Sequence, residues 1–313
     1  MPEISGKAGS PGLEKIPPVF GLYFSGSKML DPRDFPKAGT SPLRPFGIYL
    51  VFLFLFAFVS TLLIIIDIGV YPPLYITQFV VFLGGAILYE KRLAPKVKGS
   101  RAGTPWISVR TLGTRPLIVP LIVLTTVILG FGSNMLAALK VELFPPLEEI
   151  ASSYQEQILE ILLPEALGAQ IAGAVAVALV APFCEEYLFR RTILTEQLRH
   201  QGLLMAVGLN GLLFALMHLN PLTVLPLFFV GAFLAHLTIV ARSIWPAIIA
   251  HIALNTANGV ILPRLQDITA GPEDIGLPAI LSALGIFGTL SALLWVFTIW
   301  AMKKTSPAPQ ERS

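Results

Sequence analysis

Four residues in the C-terminal half of the chain have types and spacings suited to hydrolytic chemistry: Glu185, His218, His251 and Asn255. A carboxylate and a neutral imidazole can polarise one water together, the first as general base and the second as its orienting partner. His251 and Asn255 are four apart and so share a helical face, which offers two hydrogen-bond donors to a developing oxyanion. Glu186 directly follows Glu185, and neighbours on a helix project about 100° apart. Glu186 therefore faces Arg190, four residues on, in an internal ion pair, whereas Glu185 has no local cation and is left for chemistry. Phe214 stands one turn before His218 and packs beneath it.

Taken singly, each of these residues has an ordinary explanation as a satisfied packing group, and the combination carries the reading. His236 has no polar partner one turn away and reads as lining a packed groove. Cys184 sits among apolar residues and beside two carboxylates, where a thiolate is disfavoured, so it reads as a small helix residue.

The elements that must position these groups are membrane spans. Apolar residues make up 54% of the chain and charged ones 13%, far below the roughly 25% charge of soluble domains. The apolar residues fall into eight blocks, near 47–70, 74–89, 116–139, 167–198, 203–219, 222–241, 244–262 and 278–302. Their lengths suit a hydrocarbon core of about 30 Å, and backbone groups in lipid must bond within their own segment, so the blocks are helices. The expectation is an all-α polytopic membrane protein with about eight transmembrane helices. It divides into a flexible tail over 1–46, a membrane domain over 47–302 with a core near 167–262, and a second tail over 303–313. The first long apolar run begins near Gly47, so no cleaved signal is expected.

Basic residues cluster in the first tail, after the second block and at alternate connections, which places both termini in the cytoplasm. Such clusters beside spans are topogenic or meet anionic lipid, and no nucleic-acid partner is expected. Between the third and fourth blocks, Leu147 to Leu163 alternates apolar residues and glutamates at helical spacing, as an amphipathic surface helix does.

Three motifs in order carry a resemblance: Glu-Glu-x-x-x-Arg at Glu185, Glu186 and Arg190, Phe-x-x-x-His at Phe214 and His218, and His-x-x-x-Asn at His251 and Asn255. Together with Ala181-Pro182 and Ser243-Ile244-Trp245-Pro246-Ala247, this set resembles the CPBP family of intramembrane proteases. That family includes the type II CAAX prenyl endopeptidases, or Ras-converting enzymes, and bacteriocin-processing and self-immunity relatives. The resemblance covers about 181–258 and implies an endopeptidase acting on a membrane-anchored peptide, a class that includes prenylated CAAX substrates. It implies that Glu185 and His218 activate water, that His251 and Asn255 stabilise the oxyanion, and that Glu186 and Arg190 support them. His236 departs from the small residue common there. The resemblance favours water activation without a metal; the alternative is zinc held by Glu185, His218 and His251.

Two other readings stand beside this one. Buried Glu and His residues also form relays in proton- or ion-coupled transporters, although here they are confined to one part of the chain rather than repeated. A non-catalytic immunity or scaffold protein would keep the motifs for structure alone. One geometric problem also arises. From a start near Leu167, Glu185 lies about 27 Å along its helix, whereas His218 ends the returning span, so the helices must be offset, tilted or interrupted if the two are to meet.

Overall fold

The computed structural model describes residues 41–94, 107–268 and 276–305. Most of the two expected tails, 1–40 and 306–313, lies outside the described residues. Within the described residues the chain is helical, and its one bridge of extended type joins Ser108 to Ser243. Seven helices are long and apolar enough to cross a membrane: α1 (Arg44–Ile66), α2 (Tyr71–Arg92), α3 (Pro116–Leu143), α5 (Leu167–Leu198), α7 (Val224–Ala241), α8 (Trp245–Leu265) and α9 (Leu277–Thr305). The expected fifth span forms a shorter apolar helix, α6 (Leu203–Met217). The amphipathic segment is α4 (Leu147–Leu162), which begins with Glu148 and Glu149 in its first turn, where acidic side chains favour the helix dipole.

Apolar side chains on α1 face outward, including Phe54, Phe58, Ile64 and Ile65, as lipid-facing positions do. One core cluster lies between α1, α2, α5 and α6 and joins Phe52 and Phe82 to Leu188, Phe189, Leu213 and Phe214. Close approach needs small residues at the contact. Gly211 of α6 and Gly231 of α7 meet there, and a Cβ on Gly211 would lie 2.7 Å from the backbone of Phe228 and Ala232. The α6–α7 connection is held by Lys140 of α3, whose ammonium donates to the carbonyls of Pro221 and Leu222.

Helix lengths resolve the geometric problem. At 1.5 Å per residue Glu185 lies about 20 Å from the Leu198 end of α5, His218 about 22 Å from the Leu203 end of α6, and Gln78 about 21 Å from the Arg92 end of α2. These three ends lie on one side of the bundle. The long α5 overhangs the short α6 on the other side, so depth counted from Leu167 misplaces Glu185 relative to His218.

α8 begins deeper, since His251 is only about 9 Å from Trp245. The space beneath it is filled by a strap, residues 107–115. Ser108 N–H donates to Arg242 O at 2.7 Å, Ile244 N–H donates to Ser108 O at 3.1 Å, and the Trp245 indole donates to Val109 O at 3.0 Å. Arg191 of α5 donates to the carbonyl of Ile107. Gly113 has φ +71°, and a Cβ there would sit 2.2 Å from Ala241 O, so this turn requires glycine.

Four stretches widen from α- to π-helical winding: Thr77–Gly84, Ala176–Val180, Tyr187–Ile193 and Asn255–Ile261. Two flank Glu185 and one starts at Asn255. Wide turns of this kind change the direction in which successive side chains leave a helix, and they recur at functional sites.

Candidate active site

Glu186 and Arg190 form their ion pair at 3.0 Å, and both side chains are wholly buried. The arginine is held further by ring faces: its guanidinium carbon lies 4.6 Å from the centre of Phe214 and 5.7 Å from that of Phe189. A charge pair so completely dry needs more than its own attraction to offset lost hydration. Glu186 supplies part of the remainder by accepting a bond of 2.9 Å from Nδ1 of His251. A contact between helices of this kind has no signature in the spacing of either motif.

His251 thus stands between the two adjacent carboxylates. Its Nδ1 is on Glu186, and its Nε2 faces Glu185 Oε2 at 3.9 Å. The second distance is too long for a hydrogen bond, and a water beside the two atoms would reach both. Glu185, with Phe189 and no cation four residues on, faces a ring from α8.

Phe214 ties the third helix to this group. Its ring meets the imidazoles of His218 and His251 edge-on, with centroids 5.1 Å and 5.6 Å away. Nδ1 of His218 lies 3.0 Å from the carbonyl of Phe214. A carbonyl only accepts, so Nδ1 carries the proton and the neutral ring keeps its lone pair on Nε2. Asn255 donates through Nδ2 to Val177 O at 2.9 Å, which fixes the amide against α5 and leaves its second N–H uncommitted by that bond. Burial falls off across the group: His251 retains 4% of its side-chain exposure and Glu185 12%, while His218 is exposed. The site therefore reaches the outside of the protein at His218.

One member of the site comes from outside the motifs. Gln78 of α2 donates from Nε2 to Glu185 Oε1 at 3.1 Å. It is uncharged, so ionisable groups within apolar segments do not point to it; the available signal was an amide followed by the apolar run Phe79 to Leu83. His236 lies elsewhere, accepting from the Trp295 indole of α9 at 3.1 Å in a cluster with Phe233. Cys184 is buried in the apolar cluster around Phe189.

Among the described residues, no group of three or more His, Cys, Asp and Glu side chains is arranged to hold a metal ion. Of the three candidate zinc ligands, His251 has one nitrogen on Glu186 and His218 has one on a carbonyl. Both bonds use Nδ1 and leave Nε2 free, as metal-ligating histidines also do, so they do not distinguish a zinc site from a metal-free one, and no step is routed through a metal.

The comparisons with known proteins agree with this geography. Residues 167–257 match the family model described as type II CAAX prenyl endopeptidase Rce1-like. The match runs from the start of α5 through Asn255 and takes in every residue of the three motifs, while α1 to α4 and α9 lie outside it. No curated protein and no solved structure matches the chain. With an Rce1-like domain built across α5 to α8, the protein is a membrane-embedded CAAX-type protease.

Proposed function

We propose that the protein is an endopeptidase that hydrolyses a peptide bond in a membrane-anchored, prenylated CAAX-type substrate, with Glu185 as general base. The observation that carries this reading is the placement of His251 between two carboxylates, with Nε2 and Glu185 Oε2 3.9 Å apart, a gap beside which one water can bond to both. In this reading a water in the gap gives a proton to Oε2 and a hydrogen bond to Nε2 of His218, and its oxygen attacks the carbonyl carbon. Nε2–H of His251 and the second amide N–H of Asn255 receive the oxyanion.

The structure adds a condition to the oxyanion role. Nδ1–H of His251 is already spent on Glu186, so a donor at Nε2 requires an imidazolium. With Glu185 and Glu186 ionised and Arg190 and His251 cationic, the four charges sum to zero. Moving a proton from water to Glu185 while an oxyanion forms keeps that sum at zero, which suits a site shielded from water. When the tetrahedral intermediate collapses, the carbon–nitrogen bond breaks and the departing amine takes the proton from Glu185.

The test is substitution in purified protein reconstituted in vesicles with a fluorogenic prenylated CAAX peptide. Glu185→Gln and His218→Ala are expected to lower kcat by about 10²–10⁴ while the protein still inserts and folds. Full activity in either folded variant overturns the assignment.

A further inference from the structure

The proposed base does not stand alone, and its neighbour on α2 lies outside the matched segment 167–257. Gln78 Nε2 donates to Glu185 Oε1 at 3.1 Å. The amide orientation follows from chemistry, since an ionised carboxylate presents only acceptors and the NH₂ end must face it. At the other end, Gln78 Oε1 is sheltered from solvent and has no hydrogen-bond partner among the described residues. A buried amide kept only for packing is ordinarily paired at both ends. The local backbone aims it: Thr77–Gly84 is π-wound, Thr77 Oγ1 donates to Pro73 O at 2.6 Å, and Gly85 allows Phe52 to press close.

We propose that Gln78 is a positioning residue for the hydrolytic reaction. Its N–H holds Oε1 of Glu185, so that Oε2 is presented to the gap in front of His251 Nε2. A carboxylate free to rotate would divide its time between orientations, and only one of them meets a water in that gap. The helix pair α1–α2 thereby becomes part of the catalytic apparatus instead of a lipid-facing annex. The unpartnered Oε1 is left for an O–H or N–H of the molecule that enters. The proposal rests on Glu185 as the base, and its test separates the two.

Gln78→Leu removes the donor at nearly constant volume, Gln78→Asn withdraws it by one methylene, and Glu185→Gln serves as the reference. With the fluorogenic prenylated CAAX peptide, Gln78→Leu is expected to lower kcat about 10–100-fold, as loss of an orienting partner does elsewhere, with KM changed far less. Gln78→Asn is expected to fall between Gln78→Leu and the unsubstituted protein. A substrate-free reading comes from infrared difference spectroscopy. The carboxylate stretch that disappears in Glu185→Gln should move in Gln78→Leu, because one oxygen has lost its donor. An unmoved band together with an unchanged kcat overturns the role of Gln78, whatever happens to thermal stability. If Glu185→Gln stays active, the base assignment falls and this role with it. If Glu185→Gln is inactive while Gln78→Leu matches the unsubstituted protein, only Gln78 is struck out.

Discussion

Arg190 and Arg191 are neighbours on α5, and each meets a glutamate at 3.0 Å, yet they stand in different surroundings. The Glu186–Arg190 pair is wholly buried and lies under the ring of Phe214. The Glu90–Arg191 pair sits near the end of the bundle, where Glu90 keeps 24% of its exposure and Arg191 also has the carbonyl of Ile107. Equal bond lengths therefore say little about energy. What matters is whether water or another group can take over when one partner is lost. No solvent reaches Glu186 or Arg190, whereas at Glu90 it already does.

The largest effect is expected where the contrast is sharpest. Arg190→Ala should destabilise the protein by about 3–5 kcal/mol, because it leaves a buried carboxylate with His251 alone. Reversible unfolding in bicelles would measure it, and a loss below about 1 kcal/mol would erase the contrast. Replacing both partners, Glu186→Gln with Arg190→Met, should restore more than half of that stability while cleavage stays lost, since Nδ1 of His251 no longer faces a carboxylate that holds the ring as an imidazolium. That pair of results would separate what the ion pair contributes to folding from what it contributes to the site.

A smaller effect belongs to the strap that supports the Arg191 side. Gly113→Ala places a Cβ against Ala241 O at a positive φ and should cost about 1–3 kcal/mol, read as a lower Tm. The smallest is expected for Glu90→Gln, about 0–1 kcal/mol and shrinking as salt is raised. A loss as large as that of Arg190→Ala would place both pairs in the same class.

The parts of this arrangement legible in the sequence are those that depend on one helix at a time. The apolar blocks become helices because lipid offers the backbone no partners, and the facing of Glu186 and Arg190 follows from helical spacing. What lies between helices was not legible. The bond from His251 to Glu186 joins residues of α8 and α5 whose relative height depends on where each helix starts, and α8 starts deep because the strap occupies the space below it. The similar depth of Glu185 and His218 likewise depends on the overhang of α5, which no periodicity encodes. Gln78 escaped notice for a chemical reason: an amide in an apolar helix is a far weaker signal than a charge.

The widened winding of α5 between Ala176 and Val180 makes the residue count of this stretch matter in its own right. Loss of a single codon there would turn everything upstream by about 100° relative to Glu185. Val177 would swing away from Asn255, and Gly173 would leave the carbonyl of Ile161 against which it fits. Tolerated variation in this stretch should therefore exchange one side chain for another while its length stays constant.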